Sequence, residues 1–316
     1  MLAMNVNLRN SYLPPSHLNE AAAHRIGIDG PFFPHFFMHI PKTGGYYSAF
    51  WLSHMLSHTP QMLDLPSDEQ FQLCQMGVGS VAKLPQSRPG RDGNGKSIRC
   101  NMWMSERTYN ESAAATNLYT LVRDPREHVL SQYFHCTESK DRGPSVLKMR
   151  QETLGTLDNW LETWVDAIDA KMDDNKVKKI PCYDPRNKQS IFVDYDPLKW
   201  SSHDIGLSDL RERFTVIGPF DRMDKALCVT FIHYTGWVPP HCDCTRGHRR
   251  LRDFSHGVVH HGHSFNTTNH QDELIRKLTE KDWLLYEGVK RLFNEQVKDL
   301  ENKMNVTLCD KFNKVD

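Results

Sequence analysis

Two short segments carry residue types and spacings suited to holding phosphate-like anions. The first is His39-Ile40-Pro41-Lys42-Thr43-Gly44-Gly45, set between the apolar run Phe36–Ile40 and the stretch Gly44–His58, where Phe50, Leu52, Met55 and Leu56 fall at helical spacing. A glycine pair lets backbone amides approach a ligand closely, the start of a helix adds partial positive charge, and Lys42 adds a full one. The second is Leu121-Val122-Arg123-Asp124-Pro125, followed by Ser131 eight residues after Arg123. A guanidinium grips a phosphate through two parallel hydrogen bonds, and a serine hydroxyl completes such a cradle. On a purely structural reading the first segment is a tight turn, and the second is a helix cap with an Arg123–Asp124 ion pair. A nucleotide-triphosphatase loop is excluded by order, because here Lys-Thr precedes the glycines instead of following them.

Other clusters are suggestive. His256–His263 is rich in histidine and glycine, and Cys242-Asp243-Cys244 lies near His241 and His248, so a metal site is one reading. The Cys-x-Cys spacing is too tight for a standard zinc hairpin, and a disulfide through Cys242 or Cys244 is the expectation, with no metal assigned. Arg246–Arg252 is either an anion-binding run or a solvated face. Trp160 and Trp164, four apart on one helical face, are expected in the core, whereas Trp200 is open to stacking on a sugar.

The elements that must position these residues alternate. Strand-like Phe36–Ile40 leads to the helix Gly44–His58, and strand-like Leu118–Val122 leads to a helix opened by Pro125. The Gly/Pro/Arg-rich loop Pro85–Lys96 separates the two units. Further helices are expected over Leu154–Ile168 and Asp221–Tyr234, a strand over Phe214–Ile217, and one long amphipathic helix or two over Gln271–Lys303. This alternation predicts an α/β fold, a central parallel sheet flanked by helices, in one domain over residues 31–316 after a polar extension at 1–30.

Composition bounds the rest. The 316 residues carry 39 Lys+Arg against 39 Asp+Glu, so no global positive field points to nucleic acid and any anion site must be built locally. The longest apolar stretch, Ala226–Val238, is too short to span a membrane, and Met1–Gly30 has no apolar leader core. Eight cysteines and sequons at Asn110, Asn266 and Asn305 lean toward a secretory lumen.

The pair of motifs, in this order and in these contexts, resembles the two signatures for 3′-phosphoadenosine 5′-phosphosulfate (PAPS) in Golgi carbohydrate sulfotransferases. The heparan-sulfate O-sulfotransferase branch is the most similar. The resemblance covers about Phe36–Cys136 and extends loosely through Phe214–Cys244 and the Leu278–Phe293 helix. It implies a three-layer domain related to P-loop kinases and PAPS-dependent sulfation of an acceptor hydroxyl, most readily on a carbohydrate. Small-metabolite sulfation and a non-catalytic PAPS or PAP binder are the alternatives. Residue by residue, it implies that Pro41, Lys42, Thr43, Gly44 and Gly45 hold the 5′-phosphosulfate, and that Arg123 and Ser131 hold the 3′-phosphate. Lys42 is then the catalytic cation at the leaving oxygen. Where the family continues Thr-Ser, this chain has Tyr46-Tyr47-Ser48, so these residues are candidates for the missing hydroxyl contact. The family's base, a His or sometimes Glu, comes from the segment before the Arg-Asp-Pro strand, and Ile98–Glu106 has no His. Glu106 is the expected base, with His135 and His39 as further candidates. The compartment implied is the Golgi lumen, a soluble cytoplasmic form being the alternative.

Overall fold

Leu118–Val122 is a nearly unbroken apolar run, and in the computed structural model of the protein all five residues are buried in an all-parallel sheet. The structure describes residues 35–45, 47–48, 51–52, 73–75, 90–91, 97–98, 102–106, 108–112, 117–139, 143–170, 180–197, 203–245 and 265–310. In chain order the elements are β1 (His35–Met38), β2 (Leu73–Gln75), β3 (Gly90–Arg91), β4 (Ser97–Ile98), β5 (Met102–Ser105), α1 (Tyr109–Ser112), β6 (Leu118–Val122) and α2 (Pro125–Glu138). There follow α3 (Pro144–Leu154), α4 (Leu157–Asp169), α5 (Lys188–Phe192), α6 (His203–Arg213), β7 (Val216–Pro219), α7 (Met223–Thr235), α8 (Asn269–Leu278) and α9 (Glu280–Met304).

Five parallel strands run in the order β2-β5-β1-β6-β7, and β3 with β4 forms a separate antiparallel pair. The alternation of side chains along a strand sorts the core into two faces. Phe37, Tyr119, Leu121 and Val216 pack against Leu227 and Phe231 of α7 and Phe293 and Val297 of α9. Phe36, Met38, Leu118, Val122 and Ile217 pack on the other face against Leu207 and Leu210 of α6 and Leu285 and Val289 of α9. A third cluster joins α2, α4 and α8 around Trp160 and Trp164, each 1% exposed, so these two tryptophans are core residues as expected.

The boundaries differ from the sequence reading where local chemistry intervenes. The helix expected over Leu154–Ile168 is α4, which starts three residues later at Leu157, because Gly155 turns left-handed at φ +65° after the end of α3 and Thr156 caps α4 through the Asn159 amide. The last strand is Val216–Pro219, shifted from Phe214–Ile217, whereas the one or two helices expected over Gln271–Lys303 are two, α8 and α9. The loop Pro85–Lys96 contains β3. The extension at 1–30, Tyr46, Trp200, Arg246–Arg252 and His256–His263 lie outside the described residues.

Three disulfides join described cysteines: Cys136–Cys182, Cys228–Cys242 and Cys244–Cys309. The two cysteines of the Cys-x-Cys have different partners. Cys242 is bonded to Cys228 of α7, and Cys244 to Cys309, which lies next to Leu308, the residue that Asp243 bridges in antiparallel fashion. With both sulfurs oxidised, neither can serve as a thiolate ligand, and this removes the core of the metal reading. No described helix is long and apolar enough to cross a membrane.

Two helix starts cap each other across space. Asn187 precedes α5 in a left-handed conformation and its side chain does not cap its own helix; its Oδ1 instead accepts the Lys281 and Asp282 amides at the start of α9, at 2.8 and 3.4 Å. Asp282 returns the favour, accepting the Ser190 and Gln189 amides of α5 at 2.7 and 3.3 Å. Asp282 is fully buried, and that burial pushes its carboxyl up to about 6, against the hydrogen bonds from Ser190 and Gln189. A native pKa above the unfolded value means that the folded state binds the extra proton between about pH 4 and about 6. Stability from this group is therefore full below pH 4 and is lost as pH rises through 6. Asp282→Asn, which keeps an acceptor without the buried charge, should be less stable than or equal to wild type at pH 4 and gain on it by pH 7. The swing should be on the order of 3 kcal/mol by urea unfolding. A constant difference between the two proteins across that range would refute this account.

Candidate functional site

Because all five strands of the main sheet are parallel, their carboxyl ends lie on one edge. β1 pairs with β5 so that Met38 faces Ser105, and with β6 so that Met38 faces Thr120. His39 and Glu106 therefore leave the sheet side by side, and Arg123 leaves the same edge two residues further along β6. That edge is where the structure brings together Lys42, Glu106 and Arg123.

The Pro41–Gly45 loop is a strained turn. Lys42 has φ +70° and Gly44 φ +78°, and the Thr43 amide and hydroxyl both donate to the Ile40 carbonyl, at 3.2 and 2.8 Å. A Cβ on Gly44 would lie 2.6 Å from the Phe220 ring and 2.8 Å from the Met223 sulfur; one on Gly45 would lie 2.2 Å from the His39 ring. Close approach is thus demanded first by the protein's own side chains. Helical backbone begins at Gly45, with the Ser48 amide donating to Gly44.

Histidines hold this loop from both sides. His39 Nε2 accepts the Gly45 amide at 3.1 Å, which places its proton on Nδ1, 3.7 Å from Glu106 Oε1. Burial, aided by Lys42, pushes His39 down to about 4, so it is neutral and its lone pair is in use. It is a brace for the loop, not a base. From α2, His128 Nε2 donates to the Pro41 carbonyl at 2.7 Å, while its Nδ1 accepts the Gln132 amide at 3.2 Å. Burial holds His128 at about 3 against the Pro41 bond, and three cations, Arg123, Lys188 and Lys42, press it further down.

Arg123 is 4% exposed. Its Nη1 donates to the Lys42 carbonyl at 3.2 Å, its Nε faces Glu127 at 3.4 Å, and its guanidinium stacks 4.6 Å from the Phe220 ring centre. The buried Gln189 amide clasps the Arg123 backbone both ways, accepting its N–H at 2.6 Å and donating to its carbonyl at 2.8 Å. Arg123 thereby fixes the shape of the lysine loop, a role that its sequence position did not suggest.

Glu106 is partly buried, which raises its carboxyl above the ordinary value while Lys188 and then Lys42 pull it down. Lys188, first residue of α5, is itself lowered by burial, with Asp184 and Glu106 opposing. On α2, Ser131 is half-buried and His135 packs its ring against Tyr183 at 5.7 Å, one turn further from the loop. Tyr47 donates its hydroxyl to Asp224 at 3.1 Å and packs on the α7 face of the core. Ser48 is fully buried and its hydroxyl makes no hydrogen bond.

Four residues at this edge escaped the sequence reading: His128, Lys188, Gln189 and Asp282. His128 and Gln132 stand four apart on α2, a polar pair on a face that is otherwise buried, and that spacing was the only legible signal. The others arrive from a distant segment. No protein-family model matches the chain, and no curated protein matches it.

Gly45→Ala would gain helix propensity but drive a methyl into the His39 ring, and should destabilise by about 1–3 kcal/mol. In a His39→Ala background the same change should cost far less. Additive effects in this double-mutant cycle would show that the ring is not what demands the glycine.

Proposed function

We propose that this protein is a PAPS-dependent sulfotransferase acting on an acceptor hydroxyl, most readily that of a carbohydrate. The observation that carries the reading is the convergence of Lys42, Arg123 and Lys188, with the carboxylate of Glu106, on the carboxyl edge of a parallel sheet. The crevice outside the carboxyl ends of parallel strands is where α/β folds place anionic ligands, and a P-loop-kinase-like domain is the fold reading that agrees with this arrangement.

The residues fit a bisphosphorylated nucleotide. Lys42 and the loop Pro41–Gly45 would hold the phosphosulfate end, and Arg123 with Ser131 the 3′-phosphate. The buried, unbonded Ser48 hydroxyl is available to the turn that follows the glycines. PAPS, when bound, supplies an activated sulfuryl group and leaves as PAP. Lys42 places positive charge where negative charge grows on the departing oxygen, and its left-handed backbone, braced by Arg123 at the carbonyl, keeps that charge in place. Glu106 takes the acceptor proton; His39 is excluded because its lone pair already accepts Gly45, and His135 lies a helical turn beyond Ser131 and is packed on Tyr183.

The three disulfides, and the exposed side chains of Asn110, Asn266 and Asn305, support an oxidising compartment such as the Golgi lumen.

Calorimetry with PAP tests the nucleotide half. Wild type should bind, and Lys42→Ala should weaken binding by about 1–3 kcal/mol. No PAP binding by wild type would end the assignment. For the base, Glu106→Gln should lower turnover at least tenfold with PAP affinity nearly intact, within the ~10²–10⁴ range for general bases. Its deprotonated form is the active one, so the wild-type rate should climb with pH along a limb set above the ordinary glutamate value, and Glu106→Gln should lack that limb. Full turnover in Glu106→Gln on a cognate acceptor would remove Glu106 from the mechanism.

A further inference from the structure

His39 touches more than a brace for the lysine loop requires. Its ring is immobilised on that loop: Nε2 accepts the Gly45 amide at 3.1 Å, and a Cβ on Gly45 would lie 2.2 Å from the ring, so the glycine admits the imidazole against the backbone. The other ring nitrogen, Nδ1, lies 3.7 Å from Glu106 Oε1. The sheet builds that proximity. Met38 pairs with Ser105 in the parallel register of β1 and β5, so His39 and Glu106 are the next residues on two adjacent chains.

The two neighbours make complementary demands. A backbone amide only donates and a carboxylate only accepts, while a neutral imidazole offers one acceptor and one donor. The tautomer with its proton on Nδ1 meets both demands, and no other state of the ring does. Moving the proton to Nε2 sets two donors face to face at Gly45, and a second proton removes the acceptor and adds a cation near Lys42. Burial, aided by Lys42, keeps the ring neutral. At 3.7 Å the Nδ1–carboxylate pair is just beyond hydrogen-bond length. The ring is held, whereas the Glu106 side chain is 22% exposed, so the carboxylate is the partner free to close the gap. Catalytic hydrogen bonds commonly tighten in this way when substrates bind. The charged groups that act on Glu106 are Lys188 from α5 and Lys42 from the loop.

We propose that His39 is the positioning residue of the Glu106 base, one imidazole that joins the loop assigned to the phosphosulfate to the carboxylate assigned to the acceptor proton. This deepens the sulfotransferase reading and rests on it. Sulfuryl transfer needs base, acceptor oxygen and sulfur at a set separation, and a single rigid ring between Gly45 and Glu106 sets it without adding positive charge. An N–H bonded to a carboxylate favours its charged form, so His39 keeps the base deprotonated at lower pH than burial would allow.

Amide side chains separate the two contacts. Gln places an oxygen where Nε2 stands and keeps the Gly45 bond; the shorter Asn places a nitrogen where Nδ1 stands and keeps the donor to Glu106. The test uses the full chain saturated with PAP. Isotope-edited carbon NMR follows the Glu106 carboxyl through a pH titration, its signal assigned by its absence in Glu106→Gln, and calorimetry gives PAP affinity. His39→Gln should bind PAP within about threefold of wild type while Glu106 titrates at higher pH, whereas His39→Asn should leave that titration in place and weaken PAP roughly tenfold, the loss of one hydrogen bond. An unmoved Glu106 titration in His39→Gln, or the same pair of changes in both variants, would reduce His39 to a brace. Nitrogen NMR of wild type tests the proposal without any variant: the His39 proton should sit on Nδ1, and a proton on Nε2 would overturn it. Failure of wild type to bind PAP would instead strike the sulfotransferase reading itself, so the two failures are distinguishable.

Discussion

Parallel pairing of β1 with β5 on one side and β6 on the other is the constraint on which the rest depends. It delivers three chain exits, at His39, Glu106 and Arg123, to one edge on three neighbouring strands. An antiparallel neighbour on either side would carry its exit to the far edge and leave Lys42 without its present surroundings.

The lysine loop then owes its shape to buried polar partners that arrive from elsewhere. His128 and Arg123 hold the Pro41 and Lys42 carbonyls, and His39 holds the Gly45 amide. Behind them stands a second tier: Gln189 fixes the Arg123 backbone, and the exchange of caps between Asn187 and Asp282 fixes Gln189. The groups that brace the lysine loop, His39, His128, Arg123 and Gln189, each have a hydrogen-bond partner, which is what lets a left-handed lysine persist.

Charge at the edge is arranged by the same burial. Three cations surround a histidine that is kept neutral, so the region's positive charge belongs to side chains with the highest intrinsic basicity, while Glu106 provides the nearby acid. Neutral histidines can brace carbonyls and amides without adding to the repulsion among Lys42, Arg123 and Lys188.

Much of the frame was legible in the residues. Leu118–Val122 is a strand with the expected ends, and Pro125 opens α2 behind its Asp124 cap. Trp160 and Trp164 are core, and Cys242 and Cys244 are in disulfides. These are local facts, set by hydrophobic period, by proline's fixed geometry and by a Cys-x-Cys spacing too tight for a zinc hairpin. The start of α4 falls three residues after the expected Leu154, because a single glycine at the edge of a helical pattern does not announce its sign of φ. The sequence by itself determined an α/β chain with two strand-to-helix turns bearing Lys42 and Arg123. Only the tertiary structure decided that His39 and His128 are braces, that Arg123 shapes the lysine loop, and that Lys188 stands beside Glu106. Apart from the local His39–Gly45 bond, those relations join distant residues, such as Arg123 with Gln189, Arg123 with Lys42 and His128 with Pro41, and no local periodicity encodes a hydrogen bond or a charge that forms only after the sheet has closed.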